Sequence, residues 1–184
     1  RVLIREAGMT DHVEELEVTT TPMDSAAEAV SANPLGRIPA LIRPDGPSLY
    51  DSRVISRYLD ATFHADLYPE TRLWEVLTLE ATADGILDSA VGMVYETRFR
   101  GDQAGRPWLD AQWSKIDRAL TAIEERWTSH LSGKVTMGQV AVACALGYLD
   151  FRHGDRDWRP GREALAGWFA EFSQRPSMLD TAPA

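Results

Sequence analysis

Asn33-Pro34-Leu35-Gly36-Arg37-Ile38-Pro39-Ala40-Leu41-Ile42, followed by Leu49-Tyr50-Asp51-Ser52-Arg53-Val54-Ile55-Ser56-Arg57-Tyr58-Leu59, decides how the rest of the chain is read. Asn33-Pro34 and Gly36 mark a loop, and Ile38 precedes a proline, which pushes it into an extended conformation. Residues 40–42 form a short apolar run, Arg43-Pro44-Asp45-Gly46-Pro47 a turn, and residues 48–50 run apolar again. This predicts a two-stranded hairpin whose loop is longer than the tight two-residue kind. At Asp51-Ser52 the period changes: Val54, Ile55, Tyr58 and Leu59 fall on one helical face, and Asp or Ser is a preferred N-cap. A strand therefore leads into a helix whose free N–H groups point back toward the Ile38-Pro39 loop. Such an N-terminus favours a carboxylate through its unpaired donors and its dipole.

Working outward, Arg1 to Gly8 reads as the last turns of a helix closed by glycine at C′. Val13, Leu16 and Val18 lie in a β-branched stretch that predicts a strand over residues 13–20. Asp24 or Ser25 is expected to cap a short helix through Val30. Strands alternating with short helices argue an α/β layer arrangement for the first sixty or so residues. After His64-Ala65-Asp66-Leu67-Tyr68-Pro69 the β signals stop. From Thr71 the chain is helical, with Leu79, Ala83, Ile86, Leu87, Ala90 and Val94 as one apolar stripe. Trp113, Ile116, Leu120, Ile123 and Trp127 then recur at steps of three and four, a second strong helix signature. Thr136-Met137-Gly138-Gln139 has the form of a capping box and opens a helix through Phe151. A last helix is predicted over residues 162–173, after a corner that Arg152, Asp155 and Asp157 are expected to tie by ion pairs. The expected domains are residues 1–63 and 71–184.

Composition narrows the function. With 44% hydrophobic and 26% charged residues, the 184-residue chain is ordinary for a globular protein. Net charge is −9, with 28 acidic against 19 basic groups, and neither half offers a basic face for a phosphate backbone, which argues against nucleic acid. No apolar run approaches the roughly 20 residues that span a bilayer, and no secretory pattern opens the chain. The single cysteine, Cys144, excludes an internal disulfide and fits the cytoplasm. It sits in an apolar helical run without Lys, Arg or His, so a buried, inert thiol is expected. His12, His64, His130 and His153 have no ligand-like spacing, which argues against a metal site.

The stretch from Asn33 to Ser52 resembles the glutathione-binding half of the glutathione S-transferase family. There Asn-Pro-x-Gly-x-(Val/Ile)-Pro precedes a hairpin and an acidic residue plus Ser opens the next helix. The helical second half and the closing run Gly147-Tyr148-Leu149-Asp150-Phe151-Arg152 … Trp158-Arg159-Pro160 extend the resemblance over essentially the whole chain. Gln139 stands where the family has Asp in its capping motif. The resemblance implies a thioredoxin-like α/β N-terminal domain followed by an all-α C-terminal domain. It implies a cis bond before Pro39, with the Ile38 main chain pairing with the cysteinyl part of glutathione. It implies that Ser52 takes the γ-glutamyl carboxylate, Asp51 its ammonium and Arg37 the glycyl carboxylate. Met93, Tyr95 and Phe99 fall where the family forms its pocket for a small hydrophobic electrophile. In the family a first strand and a turn bearing a catalytic Ser, Tyr or Cys come before the first helix. The sequence is therefore expected to be incomplete at its N-terminus, and the catalytic residue cannot be named from it.

These residues also have plainer readings: Asp51-Ser52 as a helix cap only, Arg37 as a solvated charge, Met93, Tyr95 and Phe99 as packing. The function implied is a cytoplasmic, homodimeric transferase joining the glutathione thiolate to electrophiles. A non-catalytic glutathione-binding or protein-interaction module, and a glutathione-dependent reductase or isomerase, remain open beside it.

Overall fold

The structure is a computed structural model that describes residues 1–183. The chain divides into two compact units, one ending at Tyr68 and the other running on from Pro69.

In the first unit α1 (Val2–Glu6) is followed by α2 (Ala27–Ala32), β1 (Ala40–Arg43), β2 (Gly46–Tyr50) and α3 (Ser52–Phe63). Gly8 carries the positive φ of 66° expected of a glycine beyond a helix end. β1 and β2 pair antiparallel, and both α2 and α3 contact them. The hairpin loop is shorter than the sequence suggests: Gly46 pairs with Arg43, so Pro44 and Asp45 alone make the turn. The ladder absorbs this with an irregularity between Leu41 and Arg43.

Two local expectations are corrected here. Residues 13–20 form no strand. Their β-branched composition is a preference for a pleated surface, and a strand exists only through pairing, which these residues do not make among the described residues. Nor does Asp24 or Ser25 cap α2, whose N-cap is Ala26. Asp24 instead closes a small bridge with Thr21, and the Ala26 N–H donates to the Thr20 hydroxyl at 3.2 Å. In α3, Leu59 is buried and Ile55 and Tyr58 are half-buried, but Val54 faces solvent.

The second unit is all helix: α4 (Leu73–Arg100), α5 (Arg106–Arg126), α6 (Met137–Arg152), α7 (Glu163–Phe172) and the single turn α8 (Pro176–Leu179). Its core joins Leu79, Ala83, Ile86 and Ala90 of α4 to Ile116, Leu120 and Ile123 of α5 and to most of α6. α6 is apolar nearly all round because it is enclosed nearly all round. Its entry needs a glycine: a Cβ on Gly138 would lie 3.0 Å from the Leu79 Cβ and 3.3 Å from the Val76 carbonyl oxygen. The capping box forms, with Gln139 Oε1 accepting from the Thr136 N–H at 2.8 Å.

The corner before α7 is tied chiefly by a carboxylate outside the expected set, although Asp157 does pair with Arg159 at 3.9 Å as expected. Asp150 accepts from Trp158 Nε1 at 2.8 Å and from both arms of Arg159, at 2.9 and 2.6 Å. Asp157 contributes through the Arg159 N–H at 3.1 Å, while Arg152 lies over the Phe151 ring. A carboxylate one turn inside α6 can reach back across the corner, a geometry that residue order does not reveal. α7 is capped from a distance: Glu124 of α5 accepts from the N–H groups of Ala164 and Leu165 at 3.1 and 2.7 Å. These are two of the orphan donors at the start of that helix.

Candidate functional site

Antiparallel register brings the first group of predicted site residues together. Ala40 pairs with Tyr50, so the next residues outward at that end of the hairpin are Pro39 on one strand and Asp51 on the other. The Ile38-Pro39 peptide is cis. Ile38 is 56% exposed, and neither its N–H nor its C=O is hydrogen-bonded to another described residue. A strand-like N–H and C=O pair thus stands open beside the N-terminus of α3.

Asn33, read in the sequence only as a loop signal, and Thr20, not singled out there, hold this loop. Asn33 is only 2% exposed. Its Nδ2 donates to the Arg37 carbonyl at 2.9 Å and its Oδ1 accepts from the Leu35 N–H at 3.0 Å. The second bond is the two-residue reach of an Asx-turn, so Asn before Pro was the signal, legible in the sequence as more than a loop marker. Thr20 donates to the Gly36 carbonyl at 3.1 Å, tying the loop to the segment before α2. Gly36 has φ 62°, and a Cβ there would meet the Ser25 Oγ at 2.7 Å, so the turn demands glycine twice over.

Asp51 is the N-cap of α3, with its side chain accepting from the Arg53 N–H at 3.0 Å. Its φ of 74° lies in a region that non-glycine residues seldom adopt. Strain of that kind persists where the surroundings over-determine it, and it concentrates at binding sites. The Arg53 guanidinium forks onto the carboxylate at 3.2 and 3.3 Å and holds its pKa below the usual carboxylate range. Ser52 is exposed at the first helical position, and its hydroxyl and N–H take no partner among the described residues. Arg37 is exposed on the loop. Arg53 also went unnoticed in the sequence, where a basic residue at a helix start carries no distinguishing pattern.

The second group behaves differently. Tyr95 and Phe99 leave α4 one turn apart, and their rings stack with centroids 5.5 Å apart. Met93 is 3% exposed and belongs to the core. Two residues along a helix is about 200° of rotation, so Met93 and Tyr95 point to opposite sides. Cys144 packs against the core, and its apolar surroundings push the thiol up to about 11. His153 is buried, with Nε2 donating to the Ala90 carbonyl at 3.0 Å. Among the described residues no group of three His, Cys, Asp or Glu side chains could hold a metal, and no helix is long and apolar enough to cross a membrane.

Residues 1–62 match the glutathione S-transferase N-terminal domain and residues 106–171 the glutathione S-transferase C-terminal domain. A glutathione transferase family member from Pseudomonas fluorescens Pf-5, solved with bound glutathione, is 43% identical. The match covers 100% of this chain and 91% of that chain, with a TM-score of 0.95. A second structure of a Pf-5 family member, at TM-score 0.90, holds S-(propanoic acid)-glutathione. A glutathione S-transferase from Methylobacillus flagellatus KT with glutathione bound is 34% identical over 100% of this chain and 92% of its own, at TM-score 0.85. The uncharacterized GST-like protein YibF of Escherichia coli K12 is 30% identical, covering 99% of this chain and 91% of that protein. On the α/β unit, the helical unit and these matches together, the chain belongs to the glutathione S-transferase family.

Proposed function

We propose that the protein binds glutathione at the Ile38–Ser52 end of its hairpin and joins the ionised thiol to a small electrophile. The observation that carries this reading is the conjunction of an open main-chain pair at Ile38 with the unpartnered donors of Ser52, brought side by side by the Ala40–Tyr50 register. The Ile38 N–H and C=O would pair with the cysteinyl residue as one added strand pairs with an edge. Ser52, at a helix N-terminus, would receive the γ-glutamyl carboxylate, and the ionised Asp51 its ammonium. Arg37 would meet the glycyl carboxylate as a planar donor fork. Binding in this manner orients the sulfur, and conjugation requires the thiolate rather than the thiol.

The glutathione held by the Pseudomonas and Methylobacillus relatives supports the ligand, and the S-substituted glutathione held by a Pseudomonas relative supports a substituent on sulfur. We further propose a cytoplasmic homodimer acting in detoxification. Calorimetric titration with reduced glutathione, comparing this protein with Ser52→Ala, tests the site. Saturable binding is expected, weakened by roughly 1–3 kcal/mol in the variant, the scale of a lost hydrogen bond to a charged group. A folded protein that does not bind glutathione would overturn the reading.

A further inference from the structure

Arg53 sits where helix electrostatics disfavour it. It is the second residue of α3, whose first turn contains no acidic side chain. The N-terminus of a helix is the positive end of its dipole, the wrong place for a cation. Asp51 compensates. The Arg53 main-chain N–H and Nε both donate to Asp51 Oδ1, at 3.0 and 3.2 Å, and Nη2 donates to Oδ2 at 3.3 Å. A carboxylate offers about four lone-pair positions, so this one neighbour engages three of them. The fork lies across both oxygens, the edge that a second cation would need in order to touch both. It also steadies Asp51 in its strained conformation, φ 74°. The two side chains are 51% and 45% exposed, so solvent screens the pair and it can exchange partners at small cost.

Asp51 is also the carboxylate assigned above to the γ-glutamyl ammonium, and the present inference rests on that glutathione-binding function. An ammonium approaching Asp51 meets a carboxylate already engaged by a guanidinium. If the two cations share Asp51, like charges lie a few ångströms apart. If the ammonium displaces the fork, a cation is left at the positive end of α3. Both courses weaken binding. The γ-glutamyl carboxylate changes the outcome, because it is carried on the same carbon as the ammonium and is directed to Ser52, the neighbour of Arg53 in the chain. A displaced guanidinium then has a new anion to face, in the pairing that a planar fork favours. We propose that Arg53 is a specificity-determining residue: it competes with the ligand ammonium for Asp51 and makes acceptance of that ammonium conditional on a carboxylate delivered beside it. The site thus takes a zwitterionic α-amino acid head and discriminates against a plain amine, which displaces the fork without offering it a partner.

The test measures binding and needs no turnover. Four ligands are titrated calorimetrically at neutral pH into wild type and Arg53→Gln. They are glutathione, glutaryl-Cys-Gly without the ammonium, 4-aminobutyryl-Cys-Gly without the γ-glutamyl carboxylate, and butyryl-Cys-Gly without either. Within each protein, two affinity ratios give the contribution of the ammonium: once with the carboxylate present and once without it. A general change in binding cancels from both. In wild type the ammonium is expected to contribute more when the carboxylate accompanies it. In Arg53→Gln its contribution without the carboxylate is expected to rise about two- to fivefold, the scale of one exposed ion pair. An Arg53 that merely steadies Asp51 requires the opposite sign, since loosening Asp51 weakens its hold on any ammonium. An unchanged or diminished contribution in Arg53→Gln therefore overturns the proposal. Glutathione binding to which the ammonium contributes nothing overturns it too and leaves the glutathione site standing. Failure of wild type to bind glutathione overturns the underlying function, and this proposal with it.

Discussion

Removing the Asn33 side chain should loosen the loop that presents Ile38 and Pro39. Asn33→Ala deletes the bond to the Arg37 carbonyl, 2.9 Å, and the one from the Leu35 N–H, 3.0 Å. Asn33 itself is buried, but its partners are less so: Leu35 is 65% exposed and Arg37 is on the surface. Both freed main-chain groups can therefore turn to water, which places each loss near the ordinary net value rather than the full desolvation penalty. Two bonds at about 0.5–1.5 kcal/mol each give a destabilisation of about 1–3 kcal/mol. Asn33→Asp is the sharper perturbation. It keeps the acceptor for Leu35 but sets a carboxylate oxygen against the Arg37 carbonyl, with a charge at a 2% exposed position. At neutral pH it should cost more than Ala. Burial raises the folded pKa of the new carboxyl, so its penalty should shrink on acidification, when a protonated carboxyl can donate to Arg37. Urea unfolding of wild type and both variants at neutral and mildly acidic pH measures this. An Ala variant as stable as wild type, or an Asp variant less damaging than Ala at neutral pH, would refute the argument.

Thr136→Ala should cost on the order of 1 kcal/mol, since it opens the capping box of α6; thermal unfolding at the wild-type midpoint would contradict this. Asp51→Asn keeps a good capping residue while removing the charge that Arg53 grips. Because the folded pKa of Asp51 lies below its unfolded value, the wild-type advantage should be complete above about pH 4 and fade as pH falls through that lower value. A series of melting curves would expose the opposite trend, an advantage that grows in acid. Cys144, with its thiol near 11, should react with a disulfide reagent at pH 8 on the order of a hundredfold more slowly in the folded protein than after unfolding, from its thiolate fraction alone. Equal labelling rates would show that the core does not protect it.

Much of the fold and the local geometry of the candidate site was legible because it is written locally. The helices α4, α5 and α6 follow from apolar periodicity, the hairpin from turn residues and short apolar runs, and the α6 cap from Thr136 and Gln139 three residues apart. Asp51 and Ser52 were readable as a helix start, and the pattern from Asn33 to Pro39 as a loop of defined shape. The strand expected over residues 13–20 failed because composition expresses a preference while a strand requires a ladder. The hairpin loop came out two residues long because Gly46 took a place in the ladder opposite Arg43. Met93 was grouped with Tyr95 and Phe99 on the family resemblance, with plain packing as the alternative, and Met93 does pack in the core.

What the sequence by itself determined is the hairpin, the long helices and the residues bordering the Ile38-Pro39 turn, because caps, periodicity and proline effects act within a few residues. Tertiary structure alone decided the pairings that bridge distance. The Ala40–Tyr50 register sets Pro39 beside Asp51, Glu124 caps a helix forty residues away, and Asp150 rather than Asp155 ties the α7 corner. Each depends on which surfaces pack together, and an electrostatic or hydrogen-bonding partner is chosen by proximity in space, which residue order does not encode.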